Sequence, residues 1–372
     1  MRKRIRLGLL AVAGVGALAF AGVALAAYSP ALTVSEGVTD TGSLTTEIAF
    51  SQSNSDDPTA RLVILAPLGF TATLNQSPGT QIGTLDGSVF AGALGGAIVP
   101  VTGTVTVGDP TNATLMGAAS QCTGVAAHQA IWLLNVTAAG QSLPAPVPLY
   151  VDPTTGTPFA AFASTSTVLC LPHPTLATFQ IKLLSATLHI GGVYDNPATP
   201  GSYRWTAINT PWDPATPKIN AAGTIETQSV ERTPVETSFS GKLVTKTKRV
   251  KHGKHLDLLY SYSAKLSGKV TAGGDPAADA NVDLFAGTKK IATLTTNSSG
   301  SFSKTVALKK TTSFHAAFSQ ESQTLAGASC QPAIPVAPGV DLPCGSITQA
   351  GFSETTDTKT VKKPKRTRKR IH

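Results

Sequence analysis

Charged side chains make up only 14% of this 372-residue chain and aromatics 6%, and there are two methionines, three tryptophans and four cysteines. Sparse charge with 41% hydrophobic residues excludes an intrinsically disordered polymer. Helical periodicity is almost missing, and 34 glycines with 25 prolines are too many for a helical bundle. Past residue 26 no segment is apolar enough to span a bilayer as a helix. No C-x-x-C or H-x-x-x-H spacing supports zinc, and no D-x-D-x-D run supports calcium. A G-x-S-x-G elbow, a phosphate loop and a dinucleotide fingerprint are also missing, so neither cofactor nor metal is expected.

What is present starts with a leader. Arg2, Lys3, Arg4 and Arg6 precede an apolar run from Leu7 to Val23, and Ala24-Leu25-Ala26 follows as a small-x-small cleavage site. Residues 1–26 therefore read as a secretory signal, and retention as an anchor is the one route to a membrane. The expected location is secreted or cell surface. Export makes disulfides the default reading of Cys122, Cys170, Cys330 and Cys344. Three pairings are open, and the neighbour pairing Cys122–Cys170 with Cys330–Cys344 best suits separate modules.

The formal charge of +9 is unevenly distributed. Residues 27–241 carry 5 Lys/Arg against 13 Asp/Glu, residues 242–361 carry 14 against 8, and the segment from Lys362 onward adds seven cations and no acid. An acidic front, a basic back and a basic tail call for separate explanations.

Short runs rich in Val, Ile, Leu and Thr fill the mature sequence, such as ARLVILAP (60–67), AIWLLNVTAAG (130–140) and LDLLYSYSAKLSGKVT (256–271). Turn signals separate them, among them SDDP (55–58), GDPTN (108–112) and DPTTG (152–156). The expected fold is all-β: an N-terminal β-sandwich-type module over 27–240, then a second sandwich over 258–361. Between them, residues 241–257 read as a basic linker or edge strand, where lysines discourage sheet-to-sheet aggregation. Residues 362–372 have no apolar face and read as a disordered basic tail.

One stretch shows how these strands are joined. In TLTTNSSGSFSKTV (293–306), Asn297-Ser298-Ser299-Gly300 separates two β-branched runs, and Gly300 supplies the positive φ of a tight loop. Alternation places Val282 and Leu284 on one strand face, and Phe302 and Val306 on one face of the return strand. The segment carries further spacing: Gly268 and Val270, Gly274 and Pro276, Ala280, Val282 and Leu284, then Thr296, Gly300 and Phe302. On these positions residues 256–320 resemble the bacterial immunoglobulin-like or carboxypeptidase-regulatory-like β-sandwich modules of secreted proteins. Asp279 stands where that family usually has glycine. The resemblance implies a spacer or adhesive unit more than chemistry.

Candidates for chemistry are few. His128, His173, His189 and His315 read as scattered single histidines, and Asp56, Asp57, Asp109, Asp152, Asp195 and Asp213 sit in turns beside Pro or Gly. Tyr203, Arg204, Trp205 and Trp212 could form a sugar-stacking face, although Tyr203 and Trp205 share the parity of core residues. Lys362, Lys363, Lys365, Arg366, Arg368, Lys369 and Arg370 are candidates for holding anionic envelope polymers, and no nucleic acid is expected outside the cell. Together these readings point to a non-enzymatic structural or adhesive protein of a bacterial envelope. A carbohydrate-binding module comes second and a secreted hydrolase third.

Overall fold

A computed structural model describes residues 28–38, 44–177, 180–197, 199–327 and 345–371. The leader, Cys330 and Cys344 lie outside the described residues. The chain is all-β, and Ala113–Thr123 is the only α-helix among the described residues.

The N-terminal module runs through β1 (Ala31–Val38), β2 (Leu44–Ser51), β3 (Thr59–Pro67), β4 (Thr71–Ala72), β5 (Gln81–Ala91) and β6 (Ala97–Gly108). Helix α1 (Ala113–Thr123) follows, then β7 (Ala130–Ala138), β8 (Gln141–Ser142), β9 (Val147–Pro153) and β10 (Ala163–Cys170). The module ends with β11 (Ile181–Gly191), β12 (Tyr194–Asp195), β13 (Ser202–Pro211) and β14 (Ile225–Arg232). Eleven of these strands form one antiparallel path, β1-β2-β11-β5-β6-β7-β9-β10-β3-β13-β14. The path curls until its ends meet, so what would be two facing sheets of a sandwich are two walls of a single, nearly closed barrel.

Closure has a geometric consequence. An odd number of alternating strands leaves β1 and β14 pointing the same way, so their seam is parallel within an otherwise antiparallel sheet. At the seam the Val34 N–H donates to the Ser229 hydroxyl at 2.8 Å. Glu36 and Glu231 stand two residues further along each strand, and the Glu36 backbone N–H bonds to the Glu231 carboxyl.

Alternation sets the two faces. Leu62, Ile64, Trp132, Leu149, Val151, Trp205 and Ala207 point inward to the main core. Val63, Leu65, Ile131, Tyr150, Val168 and Ile208 point outward, yet are buried beneath Leu115 and Ala119 of α1 and beneath Phe159 and Phe162. That second layer explains why the strand is apolar without a break from Leu62 to Pro67: it is covered on both sides. Asn112 caps α1, its Oδ1 accepting from the Thr114 and Leu115 amides, and Gly124 closes the far end at φ +80°. The GDPTN signal read as a turn is thus partly a helix start. Cys122 at the end of α1 is bonded to Cys170 of β10, the expected neighbour pairing for these two, with Cα atoms 5.8 Å apart.

Two residues, Thr233 and Pro234, lead into the second module, which opens with β15 (Val235–His252) and β16 (His255–Ala272). It continues through β17 (Asp275–Pro276), β18 (Asn281–Ala286), β19 (Lys289–Thr295), β20 (Ser301–Ala307) and β21 (Thr312–Gln320). Then come β22 (Gln323–Ala326), β23 (Ser346–Gln349), β24 (Phe352–Thr355), β25 (Lys359–Val361) and β26 (Arg368–Ile371). One sheet has β15 beside β16, with β26, β20 and β17 in series along the other edge of β16. The facing sheet has the order β19-β18-β21, with β24 and β25 sharing the outer edge of β21. Phe239, Tyr262, Leu266, Val270, Val282, Leu284, Phe302 and Phe314 fill the space between them.

Of the two readings of 241–257, the edge strand is the one found: residues 241–252 are the outer part of β15 on the sheet edge, and 253–257 turn into β16. The tail differs from its reading as disordered. Residues Arg368–Ile371 pair with Leu256–Leu259, because β16 extends beyond β20 and offers an open edge there. Buried Asp257 holds the Arg368 guanidinium at that edge.

Candidate functional site

The aromatic group around residue 205 faces inward. Trp205 is 0% exposed and lies edge-on to Phe70 at 5.3 Å and Tyr194 at 5.2 Å, and Tyr194 meets Trp132 at 6.2 Å. Half-buried Tyr203 packs on Phe70 and donates its hydroxyl to the Thr199 carbonyl at 2.8 Å. Arg204, on the opposite parity, is buried 3.7 Å from Glu226. Trp212 belongs to another neighbourhood, donating to the Leu171 carbonyl at 3.1 Å and meeting His173 edge-on at 5.5 Å. The four residues do not share one exposed sugar-stacking face. The inward parity of Tyr203 and Trp205 is the reading that holds, because a barrel wall needs its largest side chains inside.

The histidines read as isolated find partners. His128 Nδ1 lies 2.6 Å from Asp152 Oδ2, and its Nε2 lies 2.9 Å from Thr123 Oγ1. Hydroxyl, imidazole and carboxylate in that order are the parts of a nucleophile, base and orienting acid. The surroundings assign them another task. The Thr123 hydroxyl also has the Ala119 and Val125 carbonyls as acceptors, both at 3.0 Å, and accepts from the Val125 amide at 3.2 Å. It sits at the C-terminal end of α1, where the helix dipole opposes an oxyanion. Asp152 also accepts from the Gln129 amide at 2.8 Å, and His128 lies against Tyr150. The cluster clasps the end of α1 and its following loop to β9, beside the Cys122–Cys170 bridge. Sequence offered no linear signal for it, since Asp152 reaches the Thr123–His128 pair only through the β7–β9 register.

His173 bonds to Thr175 at 2.7 Å, and His315 stacks on Phe285 at 4.8 Å. His189 bridges Glu47 and Asp86 at 3.4 and 2.9 Å on the barrel exterior. Among the turn acids, Asp109 and Asp213 accept bonds from their own loops, which hold both carboxyls below the usual range. Asp56 is buried and accepts from the Ser29 and Ser53 amides. No group of three or more His, Cys, Asp or Glu among the described residues has the geometry to hold a metal ion.

The acids with the strongest perturbation were not singled out in the sequence. Burial pushes the Glu36 carboxyl up to about 7, helped by Asp195 and opposed by the Thr46 hydroxyl, which donates at 2.9 Å. Burial, and then the nearby charge of Glu36, push Glu231 up to about 8. Their signal was parity: Leu32, Val34 and Glu36 alternate inward, placing a carboxyl in an apolar row. Facing each other on β1 and β14, the two carboxyls belong to the seam.

The cations of the tail divide between two places. Lys362, Lys365, Arg366, Arg368, Lys369 and Arg370 are exposed, and Lys363 donates its ammonium to the Lys309 carbonyl at 2.9 Å. Arg368, Lys369 and Arg370 on β26 lie across β16 from the Lys246–Lys251 stretch of β15, whereas Lys362 and Lys363 follow β25 at the edge of the facing sheet.

Two open clefts lie elsewhere. One, of about 450 Å³, runs over Gly268 between Ser238, Lys265, Asn297 and Ser303; the other, of about 660 Å³, lies between Pro200 and the Pro276–Asn281 loop. Compared with known proteins, the chain matches no family model, no curated protein and no solved structure.

Proposed function

We propose that the chain is a secreted or cell-surface, non-enzymatic structural or adhesive protein of a bacterial envelope, with residues 256–320 serving as an immunoglobulin-like adhesive unit. The observation that carries this reading is the Cys122–Cys170 bridge between α1 and β10. Such a bond persists in oxidising compartments and is rare in reducing ones. It agrees with the leader sequence and with a second module tied to the first. At that junction the Arg232 guanidinium lies 4.3 Å from the Phe352 ring centroid and donates to the Ala350 carbonyl at 2.7 Å. Fractionation of the producing cell, with intact mass of the recovered protein, tests the reading. The expected species lacks residues 1–26 and has no free thiol. A cytosolic, fully reduced protein overturns it.

A hydrolase is the second reading, favoured by Thr123, His128 and Asp152. A fluorophosphonate probe that labels the wild type at Thr123, and not His128→Ala, would replace the structural assignment of that cluster.

A further inference from the structure

We propose that the distal β15–β16 hairpin, with β26 added to its edge, is a docking arm for a flexible linear polyanion carrying repeated phosphate groups. The inference rests on the extracellular reading above and names the partner.

Two segments more than a hundred residues apart build this arm. Residues 245–260 and 366–371 together hold nine Lys/Arg and one acid, Asp257. All nine are exposed. Among the described residues their ion pairing with carboxylates reduces to Arg368 with Asp257. The core of the module stops at Tyr260 and Tyr262, so the hairpin beyond them serves no shared interior.

The register spaces the charges. Lys248, Leu259 and Arg368 form one cross-strand row, and Arg249, Leu258 and Lys369 form the next. Leucine therefore fills the central strand, and the outer cations stand two strand spacings apart, roughly 10 Å. That separation is close to the Debye length at physiological salt, so the cations tolerate one another while still acting on an anion between them. Asp257 neutralises one guanidinium and fixes β26 in place without cancelling the arm's charge.

Side-chain alternation distributes cations to both faces. Lys246, Lys248, Arg368 and Arg370 share one face, and Arg249, Lys251 and Lys369 share the other. A flat membrane engages one face of such a ribbon, whereas a flexible chain can follow both. Four of the nine cations are arginines, whose planar forks bond phosphate in a bidentate manner.

The test uses the full chain and long-chain inorganic polyphosphate, with anionic phospholipid vesicles, duplex DNA and a polycarboxylate as comparison probes. Polyphosphate should bind most tightly, with affinity falling about a hundredfold between roughly 50 and 200 mM salt. K246Q/K248Q/R370Q removes every cation of one face except Arg368, which is kept to hold β26, and R249Q/K251Q/K369Q empties the other face. Each should weaken binding at least tenfold and flatten the salt dependence, with an unchanged melting temperature. The control K218Q/K289Q, away from the arm, should bind like wild type. No binding, tighter binding to vesicles, DNA or polycarboxylate, or equal loss in the control overturns the proposal. Because the assay uses purified protein, it separates the two readings. Surface-located protein that ignores polyphosphate removes the docking arm alone, and cytosolic protein that binds it removes the extracellular reading alone.

Discussion

The Ser229 hydroxyl accepts from the Val34 N–H at 2.8 Å and faces the Val34 carbonyl at 3.4 Å, bridging two strands 195 residues apart. One side chain thereby replaces a ladder bond at the barrel seam. Ser229→Ala leaves the buried Val34 amide without this acceptor and should cost about 1–3 kcal/mol in denaturant unfolding. An unchanged midpoint would mean that the seam does not contribute to stability.

Beside that contact, Glu36 and Glu231 make stability depend on pH. Their folded values, about 7 and about 8, lie above those of a free carboxyl, so the folded state holds more protons than the unfolded state between about pH 4.5 and 8. Stability from these groups is full below that window and is lost as pH rises through it. The denaturation midpoint should therefore fall from pH 5 to pH 9. The slope should shrink in Glu231→Gln and shrink further in the double variant Glu36→Gln/Glu231→Gln. A wild-type midpoint that rises over this range contradicts the assignment.

The Cys122–Cys170 bridge closes a loop with a sequence separation of 48. In the chain-entropy account its removal costs about 4 kcal/mol. Cys122→Ser/Cys170→Ser should lower the melting temperature by several degrees and release α1 first, seen as faster amide exchange over 113–123. Uniform loss of protection across the barrel would instead make α1 part of the global unfolding unit.

Two loops of the second module, each crossing from one sheet to the other, allow opposite predictions. Gly300 has φ +71°, and a Cβ there would stand 2.4 Å from the Val270 carbonyl oxygen, so Gly300→Ala should destabilise by more than 1 kcal/mol. Asp279 holds a left-handed backbone at φ +56°, a conformation that glycine adopts without strain. Asp279→Gly should therefore stabilise by about 0.5–1 kcal/mol, read from thermal unfolding.

Period-two alternation made the strands legible, including the inward parity of Val282, Leu284 and Phe302, all buried as expected. It also made legible the turn at Asn297, whose Oδ1 gathers the Ser299 and Ser301 amides. Helix α1 was missed because its apolar face is short, although Asn112 and Gly124 mark its ends. The His128–Asp152 clasp and the Glu36–Glu231 pair were illegible for a different reason. Each joins residues that only sheet register and barrel closure bring together. The two basic segments were visible separately, but their union depends on the open edge that β16 leaves beyond β20. Composition cannot report a free edge.

The parallel seam also orders events during synthesis. β1 has β2 on one side, and its other flank waits for β14, which emerges only after every wall strand between them has been made. A nascent chain arrested before Ile225 would present β1 as an unsatisfied template for intermolecular pairing. Any cell making this protein therefore has reason to keep the growing polypeptide shielded until the last stave of the barrel arrives.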